Sequence, residues 1–286
     1  DVNEDLMVYA TYVTGAKAGG FDVRSNAHPD ASVNNALNAL GGNSPITGVF
    51  EYADEEAKSF ELGSKLTFAD GAAELNAALF YTEFTNLQTS QFDGKLGFNV
   101  TNAGQATSQG LELDGRWRVS EGLTLSSSMA YLDFEYDSFP NAQCYFGQTP
   151  DSAVDAALCD SSGKTREFTP ELQATFTADY VYALSEGLEL RTVMDLVYSD
   201  EYFASPTLDP NLIQDSYVKV NARISLGSTD GKWDVALVGK NLTDETVMSF
   251  GNQAPTSTTL TGGAGTAYYA FYDRPMSLAL QGVLRF

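Results

Sequence analysis

The chain has 286 residues, enough for one large domain or two small ones, and its 43% hydrophobic and 19% charged content excludes a disordered chain or a coiled coil. Lysine and arginine total 16 against 38 acids, a formal net charge of −22. That balance repels nucleic acid, and no basic patch offsets it.

No stretch approaches the ~18 consecutive apolar residues of a membrane helix. A hydropathy average would class the chain as soluble, but averaging erases strands whose side chains alternate between lipid and lumen. The sequence opens at Asp1 without an initiator Met or signal peptide, and strand-like patterning starts almost at once. Asp1 is therefore read as a cut point inside a longer protein.

Alternation with a period of two predicts about ten strands: 6–14, 55–68, 73–86, 107–119, 123–135, 168–182, 188–200, 216–227, 232–243 and 274–286. In 217–226, Val218, Val220, Ala222, Ile224 and Leu226 share one face, and Tyr217, Lys219, Asn221, Arg223 and Ser225 the other. Many of these segments reach the ~9–11 residues with which a tilted strand crosses a bilayer. Helical periodicity is confined to 31–40, read as a short loop helix.

The connections alternate in length. Asp70-Gly71, Ser120-Glu121-Gly122, Ser185-Glu186-Gly187 and Ser228 to Gly231 are tight turns. Between them lie long segments at 15–54, 87–106, 136–167, 201–215 and 244–273. Short periplasmic turns and long extracellular loops mark an outer-membrane β-barrel. The first strand then runs outward and the last inward, ending at the periplasmic rim with Phe286. The fold class expected is all-β, an antiparallel transmembrane meander.

Several segments resemble the C-terminal half of TonB-dependent outer-membrane receptors. Tyr12 to Phe21 (YVTGAKAGGF) resembles the family's strand-to-loop segment, and Ser59 to Lys65 (SFELGSK) its following strand. Asn102-Ala103-Gly104 with Gly110-Leu111-Glu112-Leu113, Gly239 to Glu245 (GKNLTDE) and the terminal Arg285-Phe286 follow in family order. Two positions depart from the pattern: Ala16 stands where an aromatic is usual, and Gly282 is one place off. The resemblance implies a barrel of roughly 22 strands around a plug. Residues 1–286 would be its C-terminal portion, with the plug domain not present. It further implies uptake energised by the TonB complex acting through that plug. The ligand would be a small molecule such as an iron chelate, most readily a ferric siderophore.

Glu61, Lys65, Glu112, Asp114, Arg116, Arg118, Glu189, Arg191, Asp195, Lys219, Arg223, Asp234 and Lys240 fall on the polar faces. They are either a solvated wall packing on a plug or a transport path whose charges help the plug move. Trp117, Trp233, Tyr180, Tyr182 and Tyr198 lie near strand ends, where they would form an aromatic girdle against lipid; ligand contact is the alternative. Phe286 is the candidate assembly signal. Loop residues Arg24, Phe50, Tyr52, Tyr145, Phe146, Tyr202, Phe203, Tyr268 and Tyr269 are candidates for ligand capture, against the reading that they only pack loop on loop. Cys144 and Cys159, the only cysteines, share one loop on an oxidising side. A disulfide between them is expected, stabilising the loop by roughly 3 kcal/mol in chain-entropy terms.

No cofactor or metal site is expected, since the one histidine, His28, lies in a different loop from the cysteines and lacks a Ser or Cys partner. Ser162-Gly163-Lys164-Thr165 lacks the earlier glycine of a phosphate-binding loop, and Gly262 to Gly265 follows no strand-to-helix pattern. Asn241-Leu242-Thr243 fits a glycosylation pattern but is placed within a strand. An enzyme is not expected. A passive porin or adhesin-type barrel is the alternative, and an outer-membrane hydrolase a more distant one.

Overall fold

The computed structural model describes residues 1–21, 51–92, 98–153, 158–254, 257–262 and 264–286. Arg24, His28, Phe50 and the segment 31–40 lie outside the described residues.

Ten strands form one antiparallel sheet in strict chain order. They are β1 (Leu6–Lys17), β2 (Glu55–Phe68), β3 (Ala73–Thr85), β4 (Gln105–Arg118), β5 (Leu123–Ser138), β6 (Leu172–Ser185), β7 (Leu188–Ser199), β8 (Tyr217–Ser228), β9 (Trp233–Lys240) and β10 (Ser277–Leu284). Each alternating segment of the sequence is one of these strands. Among the described residues β1 pairs in this sheet only with β2 and β10 only with β9, so the sheet is open.

Strand registers align the apolar residues into rows on one face. One row runs Leu62, Leu79, Leu111, Tyr131, Leu172 across β2 to β6. Another runs Leu123, Tyr180, Thr192, Ile224, Leu237, Leu280 across β5 to β10. Leu79 is 54% exposed and Leu280 79%; side chains this apolar and this bare are stable against hydrocarbon, not water. Arginine at Leu79, midway along β3, is expected to lower barrel stability by roughly 2–4 kcal/mol. Ser126→Arg, on the opposite face, should be tolerated. Urea unfolding midpoints in detergent check this, and equal midpoints would overturn the lipid-facing assignment.

The opposite face carries the charges. Asn76 Nδ2 donates to Asp114 (2.9 Å) and Thr177 Oγ1 to Asp195 (2.9 Å). Arg191 binds Asp179 through Nε and Nη2 at 2.9 and 2.5 Å. Tyr9 Oη donates to Glu61 at 2.6 Å. Ion pairs join Arg223 to Asp234 and Lys219 to Asp273. Lys65, Glu112, Arg116, Arg118, Glu189 and Lys240 make no side-chain hydrogen bond or ion pair among the described residues. A face this polar is the water-side wall of a barrel.

The short turns sit at one end. Ala69, Asp70 and Gly71 take positive φ of 52°, 53° and 79° to join β2 and β3, a hairpin turn geometry that Gly and Asp enter at little cost. Gly231 (φ 70°) does the same between β8 and β9, where Lys232 pairs with Asp230 at 2.9 Å.

Several boundaries differ from the pattern in the sequence. Gly15 to Lys17, placed in a loop, continue β1 opposite Ala57 to Glu55. β5 runs on through Tyr136 to Ser138, where Asp133, Glu135 and Asp137 break the apolar alternation and a β-bulge shifts the register against β4 between Gln105 and Thr107. β6 starts at Leu172 rather than 168, because Phe168 has φ 58° and cannot sit in a strand. β9 ends at Lys240 because Asn241 has φ 50°. Asn241-Leu242-Thr243, placed within a strand, is therefore an excursion that leaves it.

Candidate functional site

The long connections all lie at the end opposite the short turns, and four of the five carry a small hairpin. Gly20–Phe21 pairs Glu51–Tyr52, Gln88–Phe92 pairs Phe98–Asn102, and Tyr202–Phe203 pairs Ile213–Gln214. These three keep the register of the wall strands below them. Between β3–β4 and its upper hairpin the ladder persists through the Asn86 N to Gly104 O and Ala103 N to Leu87 O bonds, both 2.7 Å. The fourth hairpin, Met248–Gln253 with Tyr268–Tyr272, is offset from β9–β10.

Asn241 organises that offset. It is 5% exposed and sits in the left-handed region, which asparagine tolerates. Its Nδ2 donates to Glu245 O (2.9 Å) and Arg274 O (3.3 Å), and its Oδ1 accepts from Glu245 N (3.0 Å). Asp244 Oδ1 accepts from Met276 N at 2.9 Å. The polar residues of the NLTD segment thus tie off the excursion between wall and mouth.

The offset brings aromatic rings from three connections together. Phe250 lies 6.1 Å from Phe168, 6.0 Å from Tyr269 and 6.2 Å from Phe271. Phe168 lies 6.5 Å from Tyr202, and Tyr269 lies 6.0 Å from Phe271. Such spacings fall within the range of attractive ring pairs. The cluster is anchored underneath: Tyr202 Oη donates to Met248 O (2.9 Å), Gly251 N to Ala204 O (2.7 Å) and Phe168 N to Phe203 O (2.9 Å). Burial pushes the Tyr202 phenol up to about 12, so it stays a neutral donor at physiological pH. Phe271 remains 61% exposed and Phe168 41%, leaving an aromatic surface open at the mouth. Phe168 also lines a depression of about 230 Å³ with Phe80, Glu112 and Gln173 of the polar wall, so the cluster's lower edge overlooks the lumen side.

Of the loop candidates, Tyr202 and Tyr269 enter this cluster. Tyr268 lies beside it, accepting from Asn211 Nδ2 at 3.4 Å. Phe203 contributes its backbone. Tyr52 lies in the first hairpin against Gly20, and Tyr145 and Phe146 lie half-buried in segment 139–171; none of these three has a ring contact with the cluster among the described residues. Phe168 was missed as a mouth residue because its neighbours alternate like a strand.

Segment 139–171 folds back along the top of β5. Gly163 N donates to Tyr136 O (2.7 Å), Ser161 N to Phe139 O (2.9 Å) and Ala142 N to Cys159 O (3.0 Å). Cys144 and Cys159 are bonded across it, with Cα atoms 5.1 Å apart. Leu87, Ala103, Ala106, Phe134, Tyr136, Phe139 and Ala142 form the apolar cluster beneath. No group of three or more His, Cys, Asp or Glu that could hold a metal occurs among the described residues. Trp117, Trp233, Tyr180 and Tyr182 lie on the apolar-row face beside the short turns, and Tyr198 lies toward the mouth end of β7. Phe286 is fully exposed beyond β10.

A family model described as TonB dependent receptor-like, beta-barrel matches residues 1–242. The chain is 26% identical over 140 residues to the pesticin receptor of Yersinia enterocolitica, covering 48% of this chain and 18% of that protein. It is 26% identical over 203 residues to PiuA of Acinetobacter baumannii, described as a probable TonB-dependent siderophore receptor, covering 70% and 25%. The chain thus spans a quarter or less of the length of these relatives. The crystal structure of the ferric yersiniabactin uptake receptor FyuA from Yersinia pestis superimposes with a TM-score of 0.69 at 19% identity, over all of this chain and 36% of that one. That likeness shows the fold. The family is one of transporters rather than enzymes. With the open ten-stranded sheet, its lipid-facing rows and its polar inner wall, the chain belongs to the TonB-dependent receptor-like β-barrel family and forms part of the wall of a bacterial outer-membrane barrel.

Proposed function

We propose that the protein takes up a scarce ligand across the outer membrane, driven by the TonB complex, and that the ligand is a ferric siderophore. In this reading residues 1–286 are the C-terminal portion of the barrel. Its partners are the plug and remaining strands of the same protein, outer-membrane lipid and the TonB complex acting through the plug. The names of the relatives incline the ligand toward an iron chelate. The observation on the chain itself is the cluster of Phe168, Tyr202, Phe250, Tyr269 and Phe271, half exposed at the mouth. Rings contributed by three connections at one end of a barrel wall suit ligand capture at a mouth. The outward aromatics Trp117, Trp233, Tyr180, Tyr182 and Tyr198 serve as the interfacial girdle, and Phe286 as the assembly signal.

Two of the mouth cations among the described residues are already engaged. Lys164 Nζ is engaged by Asp160 O at 3.0 Å, and Arg166 stands beside Glu167. A neutral or weakly charged chelate held by ring contacts suits the cluster better. The test is growth of a deletion strain under iron limitation with single ferric chelates, complemented by the wild-type gene or by a Tyr269→Ala/Phe271→Ala variant. Removing two central rings should weaken capture about ten-fold or more. Growth that ignores chelate identity would favour a passive barrel, and a double variant that grows like wild type would remove the cluster from the pathway.

A further inference from the structure

Three mouth connections meet around a small enclosed cavity of about 20 Å³. Thr89 comes from the hairpin above β3, Tyr136 from the top of β5, Ser161, Gln143 and Glu167 from segment 139–171, and Leu208 from the connection between β7 and β8. Tyr136 is 3% exposed and Thr89 and Ser161 are 8% exposed. None of these three hydroxyls has a hydrogen-bond partner among the described residues. Buried polar groups are almost always satisfied, and three orphans on one cavity mark the place of a bound polar species.

The charge at the cavity is equally incomplete. Among the described residues Glu167 has one cation near it, Arg166 Nε at 3.8 Å, whose side chain is 41% exposed. Burial raises the Glu167 carboxyl above the usual carboxylate range, and Arg166 offsets this only in part. Phe139, Ala142, Pro206 and Leu208 supply the apolar part of the walls, and Ser90 and Thr207 complete the lining among the described residues.

Among the described residues the donor set is oxygen: one carboxylate, the hydroxyls of Thr89, Tyr136 and Ser161 with those of Ser90 and Thr207 beside them, and the carboxamide oxygen of Gln143. It contains no imidazole or thiolate, which excludes soft metals. One carboxylate matches one positive charge, whereas calcium sites gather several carboxylates among six to eight oxygens. The volume holds one water-sized species. We propose that the cavity between Thr89, Tyr136, Ser161 and Glu167 binds a single hard monovalent cation, sodium or potassium, which ties the three mouth connections together. The site is independent of which ligand the mouth captures.

The test uses the full-length receptor in detergent at neutral pH. Amide exchange around residues 87–90, 158–168 and 205–208 is followed in sodium chloride, potassium chloride and choline chloride at equal ionic strength. Exchange should slow several-fold in sodium or potassium relative to choline. Glu167→Gln should abolish that cation dependence, while Thr89→Val should shift it to about ten-fold higher salt. If Glu167→Gln does not fold, the Thr89→Val titration alone decides. Equal protection in choline chloride would show a water-filled cavity and overturn the proposal, as would cation dependence that survives in Glu167→Gln or is unmoved in Thr89→Val.

Discussion

Expressed alone, residues 1–286 are expected not to form a heat-resistant barrel. The reason is the two open edges of the sheet. β1 has twelve residues and β10 eight, and each is paired on one side only. About half of the backbone N–H and C=O groups of an edge strand point away from its partner. In hydrocarbon each unsatisfied group costs several kcal/mol, so the two edges together cost tens of kcal/mol. No lipid-facing row can offset that. In unboiled detergent gels the fragment should migrate as unfolded or aggregated chain, whereas a receptor with a closed sheet should run as a compact species that boiling converts. A compact, heat-sensitive band from residues 1–286 would sink the reading of the sheet as an arc of a larger barrel.

The second large effect is expected at Asn241. Replacing it with alanine leaves Glu245 N and Arg274 O without the partners that Asn241 supplies and places a Cβ-bearing residue of poor left-handed tolerance at φ 50°. Four side-chain hydrogen bonds, the longest from Thr243 Oγ1 at 3.5 Å, at a site 5% exposed correspond to roughly 2–4 kcal/mol. The loss should be local: faster exchange at 241–248 and 273–277, with the exchange of β3 to β5 unchanged. Asn241→Gly separates the two contributions, because glycine keeps the backbone conformation at no strain while losing the hydrogen bonds. If amide exchange at 241–248 and 273–277 in Asn241→Ala matches wild type, the side chain does not hold the excursion.

The wall was legible in the sequence because a two-residue period survives wherever one face meets lipid. Leu62, Leu79 and Leu237 show it, and each is more than 40% exposed in an outward row. The pattern weakened where lipid ends. Asp133 and Glu135 continue the β5 ladder outside the hydrocarbon, so the strand goes on without its apolar signature. The mouth was harder to read. Its residue types were visible, but which rings meet depends on the offset of the fourth hairpin, and that offset is set by the backbone conformations at Asn241 and Asp244. Phe168 illustrates the limit: an aromatic next to an alternating segment reads as strand until its φ of 58° is known. The cavity around Glu167 combines residues from three connections, and no spacing within a single segment reports it.

The matched registers have a mechanical meaning. Three of the mouth hairpins keep the register of the wall ladders beneath them, so each stands directly over its own pair of staves. The fourth is mounted on a seven-residue coupling from Asn241 to Val247. It carries Phe250, Tyr269 and Phe271, the rings that complete the cluster, and it is pinned sideways to the third hairpin by the Tyr202–Met248 and Gly251–Ala204 hydrogen bonds. Of the four hairpins, the fourth is thus the one aligned by its neighbour and by Asn241, not by the ladder beneath it.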